Sequence, residues 1–248
     1  MAEKKSKSGR PKVVIAKDGP YLVSGGLPLA KEIIVTGKDG VPARWGKGGR
    51  YPKQEAYSLC RCGKSKSAPY CDGTHNGVDF DGTETASRKK YMEQAEKVTG
   101  GTLVLTDVRR ICAQARFCDK AGGVWQLTVD SGGKKARKLA IQEACDCPAG
   151  RLVQWDKKKW GKRNGKPIEP KLKPSISLVE DPEERVSGPI WVKGGVPVVS
   201  SNGKKYEARN RVTLCRCGRS RNKPFCDGSH IGAGFSDGDR SLRKGGKK

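Results

Sequence analysis

The chain contains the stretch LCRCGKSKSAPYCDGTH at residues 59–75 and a near copy, LCRCGRSRNKPFCDGSH, at residues 214–230. The copies have equal length without a gap, and both fit the pattern C-x-C-x2-S-x3-P-x-C-D-G-[ST]-H. Self-similarity of this kind indicates one small structural unit that occurs twice. Both histidines of the chain fall inside the motif, which is hard to explain if they were incidental.

A second pair of matching segments lies upstream of the motifs. Residues 19–28, GPYLVSGGLP, resemble residues 188–197, GPIWVKGGVP. Each segment predicts a short strand, a Gly-Gly turn and a second strand. The first copy has a longer connection to its motif, and its part rich in glycine and charge, Lys38–Gly49, predicts a surface loop.

The region between the copies matches neither repeat and predicts a mixture of helices and strands. We expect a helix from Ser87 through Val98, strands at Thr102–Thr106, Val124–Val129 and Arg151–Trp155, a helix at Lys134–Ala144, and a linker at Lys157–Lys173. The predicted fold class is α+β and rich in β-structure. The predicted units are a disordered basic tail at 1–12, a first module at 13–85, a middle region with linker at 86–182, a second module at 183–240, and a basic tail at 241–248.

The spacing of the motif places four possible metal ligands in two pairs. Cys60 and Cys62 point to the same side of an extended backbone, because side chains alternate with period two. Cys71 and His75 face the same way on one helical turn, with Asp72 available as a cap. The same reasoning gives the second set, which consists of Cys215, Cys217, Cys226 and His230.

Three thiolates and one imidazole are also a known ligand set for structural zinc. Paired zinc cysteines usually have at least two residues between them, so the C-x-C spacing is mild evidence against zinc. The residues alone leave both zinc and an iron–sulfur cluster open.

Both motifs resemble the CDGSH iron–sulfur domain family of mitoNEET-like proteins, and they meet every fixed position of its pattern. The resemblance implies a [2Fe–2S] cluster in each copy, or two such cofactors per chain. It implies that Cys60 and Cys62 hold one iron and that Cys71 and His75 hold the other. It implies the same division in the second copy, with Cys215 and Cys217 opposite Cys226 and His230.

The chain departs from mitoNEET-like proteins because it carries two motifs instead of one. Those proteins form homodimers, so the resemblance implies that the two modules here imitate the dimer by pseudo-two-fold pairing inside one chain. We therefore expect a monomer, with each histidine-bound iron nearest solvent. The middle region would be an insertion, and it resembles divergent ferredoxin-like segments that accompany CDGSH modules.

Four further cysteines lie in the middle region: Cys112, Cys118, Cys145 and Cys147. The stretch from Cys147 to Leu152 resembles the Cys-Pro end of a ferredoxin motif, but the earlier cysteines lack the tight ferredoxin spacing. We interpret the four as buried cysteines that behave as small apolar residues. A third cluster site made by these thiols is the alternative.

The composition points to an intracellular protein with acidic partners. The chain has 51 Lys and Arg residues against 26 Asp and Glu, a formal net charge of +25. It has no apolar run long enough to span a bilayer, and its ten cysteines in a cytoplasmic protein favour metal ligation over disulfides. We expect no membrane contact.

These features predict a redox protein without substrate turnover of its own. No phosphate loop is present, and no histidine remains outside the motifs for a catalytic triad. Electron transfer, redox sensing and cluster transfer to an acidic redox or cluster-acceptor protein all follow from such sites. The alternative is a nucleic-acid-binding protein with zinc knuckles, which the charge supports but the scarcity of aromatic residues does not.

Overall fold

The computed structural model describes residues 9–243, and its strands form three β-sheets. The strands within these residues are β1 (Lys12–Ile15), β2 (Tyr21–Ser24), β3 (Leu29–Thr36), β4 (Pro42–Arg50), β5 (Ala56–Leu59), β6 (Glu96–Thr99), β7 (Leu103–Asp107), β8 (Leu152–Asp156), β9 (Pro167–Ile168), β10 (Ser175–Asp181), β11 (Val186–Lys193), β12 (Val198–Val199) and β13 (Arg211–Leu214). The α-helices are α1 (Tyr91–Gln94), α2 (Val124–Val129), α3 (Lys134–Asp146) and α4 (Ser229–Gly232). Single turns of 3₁₀ helix cover Thr74–Gly77, Arg109–Ile111, Phe117–Asp119 and Arg240–Arg243. The protein is mixed α/β and rich in strands, as the sequence predicted.

Two of the sheets are built from strands of both repeats. The first has the order β12-β1-β2-β5, and the second has the order β13-β11-β10-β3-β4. Strand β1 pairs in parallel with β12, and β3 pairs in parallel with β10. The other neighbours in these sheets are antiparallel. Each repeat therefore completes a sheet of the other.

One hydrophobic core lies beneath these two sheets and joins both halves of the chain. Its most deeply buried members alternate along the strands, as expected where one face of a sheet is covered. They are Val13, Ile15, Tyr21 and Leu59 from the first half, and Ile176, Leu178, Ile190 and Leu214 from the second half. Apolar burial at this shared core fixes the two motifs close to each other.

The third sheet forms the middle region, with the order β6-β7-β8-β9. Helices α2 and α3 pack against it and against each other. Three predictions are confirmed here: the strands near Thr102–Thr106 and Arg151–Trp155 are β7 and β8, and the helix at Lys134–Ala144 is α3.

Two predictions for the middle region are wrong. The helix expected from Ser87 through Val98 shrinks to α1, because residues Glu96–Thr99 pair with β7 instead. The strand expected at Val124–Val129 is helix α2. Val124 and Thr128 are buried on one helical face, and the Thr128 hydroxyl donates to the Val124 carbonyl oxygen at 2.7 Å. Packing thus overrides the preference of β-branched residues for strands.

The surface loop predicted at Lys38–Gly49 is also wrong, because most of it is strand β4. A Cβ atom at Gly46 would lie 2.8 Å from the Val35 side chain, and one at Gly48 would lie 2.6 Å from Lys31 Cβ. Gly46 and Gly48 therefore lie where strand β3 approaches β4 too closely for a side chain, which is a known use of glycine in sheets.

The ends and boundaries can be compared with the predicted units. Residues 1–8 and 244–248 of the two predicted tails lie outside the described residues. Lys12 already belongs to β1, and the second tail begins within the 3₁₀ turn Arg240–Arg243. Strand β10 falls in the stretch assigned to the middle region, yet it pairs with β3 and β11. Among residues 9–243, no helix has the length and apolar character required to cross a bilayer.

Candidate metal centres

The first motif folds back on itself directly after strand β5. The Cys60 amide donates to the Pro69 carbonyl oxygen at 2.9 Å, and the Cys71 amide donates to the Ser58 carbonyl oxygen at 3.0 Å. These two bonds hold the C-x-C segment beside the segment that carries the third cysteine. Asp72 then accepts hydrogen bonds from the amides of Lys66 and Thr74, which fixes the short turn before the histidine.

This fold brings the four predicted ligands of the first motif into two pairs. The Sγ atoms of Cys60 and Cys62 are 3.6 Å apart, and Cys71 Sγ lies 3.3 Å from His75 Nδ1. His75 is on the 3₁₀ turn Thr74–Gly77, and Cys71 comes just before that turn. The two residues meet as predicted, although only the histidine lies on a helix.

The second motif repeats this arrangement. The Sγ atoms of Cys215 and Cys217 are 3.7 Å apart, and Cys226 Sγ lies 3.5 Å from His230 Nδ1. The matching backbone bonds are also present: Cys215 N to Pro224 O at 2.8 Å and Cys226 N to Thr213 O at 2.9 Å.

The spacing within each pair fits two ligands on one tetrahedral metal. With metal–sulfur bonds of about 2.3 Å, two thiolates on one metal are about 3.8 Å apart, and a thiolate and an imidazole nitrogen are about 3.6 Å apart. Within residues 9–243, no three His, Cys, Asp or Glu side chains converge as the ligands of a single ion would. The donors of each motif are thus arranged two and two.

The two sites differ in burial, and one expectation about them is wrong. His230 is 4% exposed and Cys226 is 3% exposed, whereas His75 and Cys71 are only half-buried. The second histidine therefore does not face solvent as expected. Ala113 and Ala149 of the middle region pack on Cys226, and Arg116 of the same region lies near His230.

Burial and neighbouring groups shift the pKa values of all four predicted ligands of the second site. A hydrogen bond from Cys217 lowers the pKa of Cys215 to about 7, while the same bond and burial raise the pKa of Cys217. Burial raises the pKa of Cys226 and, together with the nearby cation Arg216, lowers the pKa of His230 to about 4. Protons on these thiols must leave when a metal binds, since thiolate is the ligand form.

The charged and hydroxyl side chains of the motifs have distinct roles. Arg61 and Arg216 are buried, whereas Lys64 and Arg219 are exposed, so only the arginines between the first two cysteines act as interior charges. The hydroxyls of Ser65 and Ser220 donate to the carbonyl oxygens of Tyr70 and Phe225, at 2.6 and 2.7 Å. These serines therefore stabilise the turn.

Three of the four middle cysteines share one small cavity. Cys112, Cys118 and Cys147 line it together with Arg151, whereas Cys145 points elsewhere and contacts the Ile168 carbonyl oxygen at 3.8 Å. All four are half-buried rather than fully buried. Cys118 and Cys147 also pack against hydrophobic clusters, as the interpretation as core cysteines expects, so the structure is compatible with both interpretations.

Comparison with known protein families supports the resemblance that the two motifs carry. A family described as iron-binding zinc finger, CDGSH type, matches residues 18–76 and 187–231. The chain is a member of the CDGSH family with two CDGSH motifs. A family described as divergent 4Fe-4S mono-cluster matches residues 98–157, which include all four middle cysteines of this CDGSH protein. Searches of curated proteins and of solved structures gave no match.

The two family matches together indicate that this CDGSH protein binds iron–sulfur clusters. The second match favours the alternative reading of the middle cysteines, in which they hold a cluster of their own. The signal in the sequence was the Cys-Pro stretch at residue 147, which the missing ferredoxin spacing outweighed in our interpretation.

Proposed function

We propose that this CDGSH protein is an electron carrier with one [2Fe–2S] cluster in each module, and that it does not turn over a substrate of its own. The observation that carries the proposal is the arrangement of donors in two pairs per motif. Cys60 with Cys62 and Cys71 with His75 would hold the two irons of the first site. The second site would use Cys215 with Cys217 and Cys226 with His230. A single zinc ion would need four convergent donors instead.

A [2Fe–2S] cluster supplies reversible one-electron chemistry when bound. The residues of the chain set how readily that electron is taken up. A neutral histidine in place of a thiolate removes one negative charge from the ligand set, which favours reduction. The half-buried His75 also places one edge of the first site within reach of a partner protein.

Reciprocal contacts support pseudo-two-fold pairing of the two modules within a monomer. A Cβ atom at Gly63 would lie 2.6 Å from the Cys217 carbonyl oxygen, and one at Gly218 would lie 2.5 Å from the Cys62 carbonyl oxygen. Equivalent glycines of the two motifs thus pack on equivalent cysteines. The shared sheets and core extend this pairing through both halves of the chain.

The middle region would hold a third cluster through Cys112, Cys118 and Cys147. These three cysteines line one cavity, and the family matched by this region is described as a 4Fe-4S type. Arg151, beside Cys112, would offset part of the negative charge of the thiolates. Cys145 faces the Ile168 carbonyl and lies outside this set.

The partner would be an acidic redox protein. The net charge of +25 should steer it over long range, and this attraction weakens as salt shortens the Debye length from about 10 Å at 0.1 M to about 3 Å at 1 M. Electron transfer to an acidic ferredoxin should therefore slow markedly between these two conditions. A rate that does not change with salt would remove the steering argument.

Metal analysis of the purified full-length protein tests the proposed cofactors. The two CDGSH sites require about four iron and four sulfide per chain, and a 4Fe-4S cluster in the middle region would raise the total to about eight of each. The visible absorption should be lost on reduction with dithionite and should return in air. Stoichiometric zinc without acid-labile sulfide would contradict the proposal and favour zinc knuckles.

A further inference from the structure

The two CDGSH sites have the same ligand types but differ in the charges that surround them. In each module the arginine between the first two cysteines is buried, with Arg61 2% exposed and Arg216 3% exposed. Each donates from Nε to a glycine carbonyl at the start of its module. The distances are 2.9 Å to Gly19 and 2.8 Å to Gly188. The two arginines are therefore matched positions at which the sites can be compared.

Arg216 of the second module is neutralised by buried carboxylates. Its Nη2 donates to Glu180 Oε1 at 2.8 Å, and its Nη1 forms an ion pair with Asp237. Glu180 is fully buried, and the Ser187 hydroxyl bridges the same two carboxylates at 2.7 and 2.9 Å. The second site thus has at least as much negative as positive charge beside it.

Arg61 of the first module has no such partner. Its Nη2 donates to the Gly82 carbonyl oxygen at 2.8 Å, and its Nη1 has no hydrogen-bond partner among the described residues. No carboxylate within residues 9–243 forms an ion pair with it. Asp18 and Asp81 lie on the same side of the module but are exposed to water, which screens them. The first site therefore has a buried cation beside it whose nearest carboxylates are exposed, whereas the carboxylates that pair with Arg216 are buried.

Burial acts in the same direction as this charge difference. A site that accepts an electron gains one negative charge, and a low-dielectric surrounding disfavours that gain. The second site is enclosed by the middle region, whereas the first is half-exposed. The Arg219 and Gly228 amides, each 3.4 Å from a sulfur atom of the second site (Cys217 Sγ and Cys226 Sγ), have the opposite effect. Such neutral dipoles are nevertheless weaker than a full buried charge.

We propose that the first CDGSH site is reduced before the second, because Arg61 has no buried counter-ion whereas Arg216 is paired with Glu180 and Asp237. This inference rests on the proposed function. Each site takes up one electron, supplied by an electrode through mediators, and no bond is made or broken. A net unit charge within about 10 Å at an effective dielectric constant of about 20 shifts an equilibrium roughly tenfold or more. The distribution of a single electron should favour the first site by at least that factor.

Spectroelectrochemical titration of the full-length protein tests this order. We expect two separate one-electron steps from the CDGSH sites, and a third from the middle region that neither histidine variant moves. Replacement of histidine by cysteine marks each step, because a thiolate ligand lowers the potential. His75→Cys should lower only the upper step, and His230→Cys should lower only the lower step. The reverse assignment, or two CDGSH steps at one potential, would overturn the inference.

Charge variants test the cause of the order separately. Glu180→Gln removes a buried carboxylate and should raise only the lower step, whereas Arg61→Gln should lower only the upper step. Arg219→Gln removes an exposed cation two residues from Cys217 and serves as the control, which should move neither step. If Arg61→Gln fails to fold, Glu180→Gln and the histidine pair still decide the question. Absence of sulfide in the wild-type protein would instead refute the proposed function itself.

Discussion

The hydroxyl of Tyr21 donates a hydrogen bond of 2.7 Å to the carbonyl oxygen of Cys215, so a strand of the first module supports the ligand loop of the second. The same hydroxyl lies 3.1 Å from the Pro224 carbonyl oxygen. Both acceptors are buried, and this single donor joins the two halves of the second motif. The contact therefore couples the integrity of the second site to a residue almost two hundred positions away.

Tyr21→Phe should destabilise the second site selectively. The change leaves buried carbonyl groups without this donor, which costs about 1–3 kcal/mol. We expect a lower unfolding midpoint in urea and a faster loss of about half of the CDGSH iron to a chelator. Tyr57→Phe is the matched control, because the Tyr57 hydroxyl donates to the Leu27 carbonyl oxygen at 2.9 Å within the first module. Equal chelation kinetics in the two variants would contradict the selectivity.

Gly63→Ala should disrupt the contact between the modules. Gly63 has a φ of +73° and no room for a Cβ atom, because the Cys217 carbonyl oxygen would be 2.6 Å away. Gly195→Ala is the control, since Gly195 also has a φ of +73° but nothing within 4 Å. The control should lose only the left-handed backbone cost of about 1–2 kcal/mol. Calorimetry should show a clearly larger loss of thermal stability for Gly63→Ala than for Gly195→Ala. Similar losses in the two variants would show that the contact between the modules can accommodate a methyl group.

Cys147→Ser should lower the iron content of the purified protein, whereas Cys145→Ser should leave it unchanged. Cys147 lines the cavity with Cys112 and Cys118, whereas Cys145, outside that cavity, lies with its Sγ 3.8 Å from the Ile168 carbonyl oxygen. Loss of a cluster of the 4Fe-4S type would remove about four iron per chain. Iron and sulfide should be counted in both variants. An unchanged iron and sulfide content in Cys147→Ser would show that these cysteines have a purely structural role.

Glu143→Gln should stabilise the protein at alkaline pH. Burial raises the pKa of Glu143 to about 7, and its Oε2 atom has no hydrogen-bond partner among the described residues. The folded state therefore holds a proton that the unfolded state releases above about pH 4.5, so stability falls as pH rises from about 4.5 to about 7 and levels off above 7. The variant should gain up to about 3 kcal/mol at pH 8.5 and less at pH 6. Urea unfolding at both values measures this gain, with the exposed Glu96→Gln as the control.

The sequence was a good guide to local geometry at the two sites. The C-x-C and C-x3-H spacings act over a few residues, and together with the turn that Asp72 stabilises they bring those side chains into pairs. The Gly-Gly turns were predictable for the same reason: Gly25 and Gly194 have positive φ angles, which glycine adopts at no steric cost.

The sequence could not predict the difference in exposure between His75 and His230. The motifs are nearly identical, and the difference arises from Ala113 and Ala149, which belong to a separate sheet and helix layer. Strand β4 and helix α2 were misjudged for a related reason. In both cases contacts with other elements fixed a local conformation that composition left ambiguous. Strand β4 pairs with β3, and α2 packs against α3 and the middle sheet.

The parallel pairing of β1 with β12 and of β3 with β10 has a consequence for the order of events during synthesis. The ribosome releases β1 to β5 long before β10 and β12, and until then β1 and β3 lack these partners. Half of the shared core is also missing at that stage. The sheets and the core that support the first motif are therefore complete only when nearly the whole chain has been translated. If the motifs hold clusters as proposed, we expect iron and sulfide to enter only after most of the chain has been synthesised.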